Sequence, residues 1–172
     1  MEVEQAIRMK RAVREFRSEP LPDSSVEAIL QAGRRAQSAK NIQPWVFLAI
    51  RERSTLEALS NLGTYAGHLA GAALGVVILT PDPEMRWSVM FDAGQSASYM
   101  QLAAWEMGIG SCLATIYELE AARDLLGFPA EYHAQVALSF GYPADPDILT
   151  RPLKSGGRKI AAEVIQFEHW KS

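Results

Sequence analysis

Cysteine is nearly missing from this sequence. Cys112 stands alone among 172 residues, which excludes an internal disulfide framework and suits a reducing, cytoplasmic compartment. Long hydrophobic runs are missing too. The longest apolar stretch, residues 69–79, is about half a membrane span, and the opening residues carry too many charges for a secretory signal. The three histidines, His68, His133 and His169, are scattered, so a zinc site is not expected. No G-x-x-x-x-G-K-[ST] loop and no G-x-S-x-G elbow occurs, which removes the P-loop and the serine-hydrolase nucleophile. "GIGSCL" (108–113) has half of a dinucleotide fingerprint, but it follows a helical pattern and lacks the third glycine. A net charge of −3 gives no general pull toward nucleic acid or an anionic membrane.

What is present is an ordinary soluble composition in a chain long enough for one domain, 1–172, with its own core. Val3, Ala6, Ile7 and Val13 predict a first helix that ends before Arg17. "PDSSVE" predicts a second, opened by a capping box of Ser24 and Glu27, with Val26, Ile29, Leu30 and Gly33 on one face. Ser54 and Glu57 repeat that box for a third. Strands are predicted at 45–50, 74–79 (buried on both faces), 111–116 and 134–140. Gly67, Gly71 and Gly75, four residues apart, suggest close packing. The stretch 90–107 is apolar on nearly all sides and rich in small residues, so it must bury against a core or a partner chain. A further helix runs over 118–126 with Gly127 past its end. The tail, with Val164, Ile165, Phe167 and Trp170, is too apolar to be left loose. The sum is about six helices and four or five strands in layers.

Few side chains qualify for chemistry of their own. Cys112 lies in an apolar strand and reads as a small buried hydrophobe. Asp92 could be a general base, but near a helix start it reads as a cap. Positive charge, in contrast, is concentrated: Arg8, Lys10, Arg11, Arg14 and Arg17 crowd one stretch, and Arg151, Lys154, Arg158 and Lys159 another. A second concentration is "AQSAKNIQPWVF" (36–47), where Gln37, Ser38, Lys40, Asn41 and Gln43 fill a helix-to-strand link that needs only about two to six residues. Clustered cations and spare hydrogen-bonding groups in loops suit a protein that holds a phosphorylated cofactor and lets it react.

"KRAVREF" (10–16) followed by "SAKNIQPWVF" (38–47) resembles the paired signature of the nitroreductase family, flavin enzymes that hold FMN. "DAGQSASYMQLAAWEMGIGSC" (92–112), "DLLGFPAEYHAQVALSFGYP" (124–143) and "GRKIAAEVIQFEHW" (157–170) resemble its central helix, its late helix-strand-turn and its C-terminal arm. The resemblance implies an α+β, three-layer fold: a mostly antiparallel sheet flanked by helices, intertwined as a homodimer with FMN at the interface. It places Lys10, Arg11 and Ala12 at the phosphate, joined by Arg158 or Lys159, and Arg14 near the pyrimidine edge as an electrostatic stabiliser. It runs Gln37, Ser38 and Ala39 along the ribityl chain and ring, and makes Asp92 a polar partner for the pyrimidine. Leu113, Ala114 and Thr115 would cover one ring face with backbone donors. Asn41 and Gln43 would either contact the flavin or bond the loop's own backbone. Trp45, Tyr65, His68, Tyr117 and Phe128 would be pocket wall or core.

The implied activity is hydride transfer from NADH or NADPH through FMN to an oxidised small molecule, a nitroaromatic, quinone or enone, by ping-pong turnover, with no catalytic side chain, metal, nucleic acid or membrane involved. Departures from the family pattern lie at Lys10, Ala12, Gln37 and Gly156, each loosening the phosphate or loop geometry. They leave open a flavin-binding, sensing or flavin-processing module without NAD(P)H turnover, or a structural dimer without ligand.

Overall fold

A computed structural model describes residues 2–152 and 158–170. Its frame is one four-stranded antiparallel sheet in the order β1-β2-β4-β3, formed by β1 (Val46–Ile50), β2 (Leu74–Thr80), β3 (Gly110–Thr115) and β4 (His133–Gly141). Every residue of β2 is buried, because both faces of the sheet are covered. On one face Val77, Leu79, Ala114, Ile116 and Ala137 pack with Leu56 and Leu59 of α3 (Arg53–Ser60), Leu69, and Ala122 of α5 (Leu119–Leu126). On the other, Val76, Ile78, Leu138 and Phe140 meet Ile29 of α2 (Asp23–Arg34) and Ala93, Ala97 and Met100 of α4 (Ser88–Glu106). Alternation along each strand assigns side chains to the two cores. The three layers are those the family resemblance implies.

The contact between α2 and α4 is close because Gly33 permits it. A Cβ there would lie 2.8 Å from Met100 Cγ and 3.0 Å from Ser96 Oγ, and the Ser96 hydroxyl donates to the Gly33 carbonyl at 3.1 Å. Gly75 has the same use, since a Cβ would come 2.6 Å from Leu56 Cδ2, but nothing lies within 4 Å of one at Gly67 or Gly71. The four-residue spacing is therefore not a packing stripe.

Three local expectations give way. The first helix, α1 (Val3–Met9), stops well short of Val13. Beyond it Ala12 bridges Ser111 in parallel and Phe16 bridges Pro143, so pairing against the sheet displaces the helical pattern. Pro22, not Ser24, stands at the N-cap of α2, and Glu52, not Ser54, at that of α3; neither helix has a side-chain cap. The Ser54 hydroxyl turns to the Glu52 carboxylate at 3.2 Å. In α5 the terminus is as expected, with Gly127 left-handed at φ +68°. The last helix, α6 (Ala161–Val164), leaves Val164, Ile165, Phe167 and Trp170 exposed.

Candidate functional site

β3 is an outer strand, paired on one side only. The free side is met by residues 10–16 running as an extended strap, in which the Val13 N–H donates to the Ser111 carbonyl at 2.9 Å. A Cβ on Gly110 would sit 2.7 Å from Val13 Cβ, so glycine lets the strap lie flat on the strand. Successive residues of a strand turn their backbone groups to opposite sides. With Ser111 facing outward, Leu113 and Thr115 face outward too, past the strap, while Ala114 pairs inward with Ala137 and is buried. Of the three residues expected to present backbone donors, Leu113 and Thr115 are placed to do so.

The strap carries the first basic cluster to this edge. Val13 plugs into the core, while Ala12 and Arg14 remain exposed. Arg11 donates from Nη2 to the carbonyl of Arg151 and from Nε to that of Met9 at 3.3 Å. The two basic stretches, remote in sequence, thus meet. The Arg151 guanidinium is drawn away to Asp145 at 2.7 Å, and Arg17 to Glu19 at 3.4 Å and the face of Tyr142. Partial burial holds the Lys10 ammonium below the ordinary lysine value, an effect the nearby Cys112 sulfur partly offsets. Arg158 and Lys159 are exposed, and Lys154 and Gly156 lie outside the described residues. Among the described residues, Lys10, Arg11 and Arg14 form no ion pair.

Arg14 borders two open hollows. One, of about 370 Å³, is shared with Val13, Glu15, Pro143, Asp145 and Ile148; the other, of about 500 Å³, with Glu15, Tyr65, Gly67 and His68. His68 is buried, with Nδ1 2.7 Å from Ser139 Oγ. Burial and the Arg14 charge hold its pKa below the usual histidine value, against the pull of the Leu113 backbone. Nε2 is buried and, among the described residues, has no hydrogen-bond partner. A free strand edge and, among the described residues, three cations without ion pairs fit a ligand with a hydrogen-bonding rim and a phosphate. The sequence gives no signal for the His68–Ser139 pair, which forms where the turn Gly67–Leu69 packs against β4.

The second predicted half of the site, residues 37–43, is built elsewhere. Ser38 Oγ accepts from the Gln43 N–H at 2.8 Å, and Gln43 Nε2 donates to Asn41 Oδ1 at 3.2 Å and to the Asn41 carbonyl at 3.4 Å. Ser38, Asn41 and Gln43 spend their polar groups on the loop itself. The Ala39 N–H donates to both Asp92 oxygens, at 3.1 and 3.2 Å. Asp92 lies inside α4 and caps no helix. Gln37 is exposed. Trp45 stacks on Phe47, ring centroids 6.2 Å apart, at the start of β1. Among the described residues, no hydrogen bond or ion pair joins this loop to residues 10–14.

Of the remaining candidates, Tyr65 and Tyr117 are exposed, whereas Phe128 belongs to the core beneath the Arg123 guanidinium and is not pocket wall. Cys112 is buried, directly opposite Ser139. Among the described residues, no cluster of His, Cys, Asp or Glu could hold a metal, and no helix is long and apolar enough to cross a membrane.

A model of the nitroreductase family matches residues 7–66 and 61–142. A protein of Archaeoglobus fulgidus, whose name offers NADH dehydrogenase or NAD(P)H nitroreductase, is 32% identical over 79% of this chain and 82% of its own. The oxygen-insensitive NADPH nitroreductase of Salmonella typhimurium is 27% identical over 92% of this chain and 70% of its own. An FMN-dependent nitroreductase from Clostridium difficile superposes with a TM-score of 0.85 over 98% of this chain and 100% of that one. Nitroreductase A from Vibrio parahaemolyticus gives 0.86 over 98% and 76%. At 24% and 22% identity, these two superpositions speak to the fold.

Proposed function

The chain belongs to the nitroreductase family, and on that premise we propose that it is an FMN-dependent NAD(P)H oxidoreductase acting as a homodimer. Its electron acceptor is an oxidised small molecule, a nitroaromatic, quinone or enone, reduced by ping-pong turnover. The observation that carries this reading is the outer edge of β3, where the strap bearing Lys10, Arg11 and Arg14 is seated at Ser111 and the backbone of Leu113 and Thr115 faces outward beyond it. FMN, when bound, would supply the two-electron redox chemistry that links the nicotinamide to the acceptor.

The protein's residues bind and orient. Lys10 and Arg11, with Arg158 or Lys159, take the phosphate, and the Arg11–Arg151 bond holds the two basic stretches in register for it. Arg14 and the Leu113 N–H stabilise negative charge on the pyrimidine. The Ser38–Gln43 loop, which among the described residues has no hydrogen bond to the basic strap of its own chain, serves the partner's flavin in this reading. Exposed apolar side chains on α4 and in the tail support the same dimer, since one chain leaves them uncovered.

Anaerobic mixing with NADH or NADPH, followed at the flavin absorbance, tests the reading. Rapid bleaching, reversed by one of the three acceptor classes, is the expected result. Flavin that stays bound but is bleached only slowly by both nucleotides would point instead to the binding or sensing module, which the alanine at position 12 and the partly buried Lys10 favour.

A further inference from the structure

Asp92 is 2% exposed, yet both its oxygens serve one group outside α4, the Ala39 N–H. Burying a carboxylate is unfavourable unless hydrogen bonds repay the lost water, and a single shared N–H is a small return. What this bond holds is a loop in an uncommon conformation. Lys40, Asn41 and Gln43 have φ of +54°, +54° and +53°, the left-handed region where a side chain is strained and glycine is the usual occupant. Such strain persists only where the surroundings over-determine it. Among the described residues the loop's other hydrogen bonds are local: those of the Ser38, Asn41 and Gln43 side chains, the turns from Asn41 N–H to the Ser38 carbonyl and from Ile42 N–H to that of Ala39, and the Trp45 N–H to the Gln43 carbonyl, two residues on. Among the described residues, Ala39–Asp92 is the one hydrogen bond that ties residues 38–43 to another element of the fold.

We propose that Asp92 is a positioning residue: through the Ala39 N–H it locks the 38–43 loop in the shape that receives the cofactor, without touching the flavin. The proposal rests on the reading that this loop borders FMN. A loop that must be held in a strained shape binds in proportion to the fraction of time it has that shape. A charge-assisted bond to a backbone N–H is among the stronger single ties available for this.

The test combines amide hydrogen exchange over residues 39–43 in the FMN-free dimer with FMN titration of the same protein. Asp92→Ala should speed exchange and weaken FMN binding, each by about tenfold or more. Asp92→Asn keeps an acceptor oxygen for Ala39 and should leave both within about threefold of the parent. Unchanged exchange in Asp92→Ala would overturn the lock. Faster exchange with unaltered FMN affinity would instead overturn the placing of the flavin along this loop. Weak FMN binding in Asp92→Asn with exchange still slow would mean that the carboxylate itself contacts the cofactor, which overturns the positioning role. If Asp92→Ala does not fold, Ala39→Pro removes the donor instead. It follows Ser38, whose φ of −144° and ψ of 155° accept a succeeding proline, and it should weaken FMN to the same degree; parental affinity would overturn the proposal.

Discussion

Arg11 donates to the main-chain carbonyl of Arg151, so the N-terminal strap is fastened to a segment 140 positions further along. The acceptor is a backbone oxygen, so the Arg11 charge is not neutralised. The side chain of Arg151, which could have repelled it, is occupied by Asp145. The result is a cation held on the strap with no ion-pair partner among the described residues. From this we expect FMN to raise the melting temperature more than riboflavin does, because only FMN offers a phosphate. Arg11→Ala and Lys10→Ala should each narrow that difference, measured by thermal denaturation at equal ligand concentration. Equal stabilisation by the two flavins in the parent protein would show that the cluster is not a phosphate site.

The strap's seat on β3 can be disturbed without touching a charge. Gly110→Ala brings a methyl group 2.7 Å from the branched Val13 Cβ, which cannot swing aside. Overpacking of this kind costs about 1–3 kcal/mol. The expected result is a melting temperature lower by a few degrees per kcal/mol, roughly 2–12 °C, together with weaker FMN binding, since Arg11 and Arg14 ride on the same strap. An unchanged FMN affinity in the folded variant would detach the strap from the cofactor site.

The sequence conveyed the sheet well, and for a physical reason. Leu74 to Thr80 are all buried in a strand covered on both faces, and such strands read as continuous apolar runs. It misled at Val13, which continues the apolar pattern of α1 but folds onto Gly110 because the free edge of β3 offers backbone partners. Ser24 and Glu27 have the capping-box spacing yet fall inside α2, which already begins at Asp23. The loop's polar content was visible in the sequence, but its backbone was not. Lys40, Asn41 and Gln43 are left-handed without being glycine, and the bond that holds them comes from Asp92, 53 positions away from Ala39. A tie of that length leaves no local pattern.

Trp87 at 78%, Phe167 at 76% and Trp170 at 83% exposure are an unfavourable surface for a solitary chain. A homodimer is expected to be the smallest folded species at micromolar concentration. Removing residues 160–172 should weaken association and FMN binding together, as read by sedimentation velocity and flavin titration. A folded monomer that retains FMN at parental affinity would sink the shared-site arrangement.

The last expectation concerns Arg14, exposed at the mouth of two hollows and without an ion-pair partner among the described residues. Hydride transfer to a flavin needs no proton from the protein at that step, and among the described residues Ser139, which pairs with His68, is fully buried rather than open to a substrate. Cys112 is buried in the ladder opposite Ser139, so Cys112→Ala should leave the rate of flavin reduction per bound flavin close to the parent value. Arg14 differs because its charge favours the reduced, negatively charged pyrimidine over the oxidised one, the differential stabilisation that lowers a barrier. Backbone donors on β3 share the task, so the loss should be partial. Arg14→Ala should slow reduction about 10- to 100-fold, equivalent to ~1.4–2.7 kcal/mol, and should lower the flavin's reduction potential in the same variant. Arg14→Lys keeps the charge but not the planar fork and should fall between the two. The measurement is stopped-flow reduction at saturating FMN, beside an equilibrium titration with a reference dye. A slower rate at an unaltered potential would mean that Arg14 acts on the nicotinamide instead. Loss of reduction in Cys112→Ala, with flavin bound and the dimer intact, would mean that a side chain takes part in the chemistry after all.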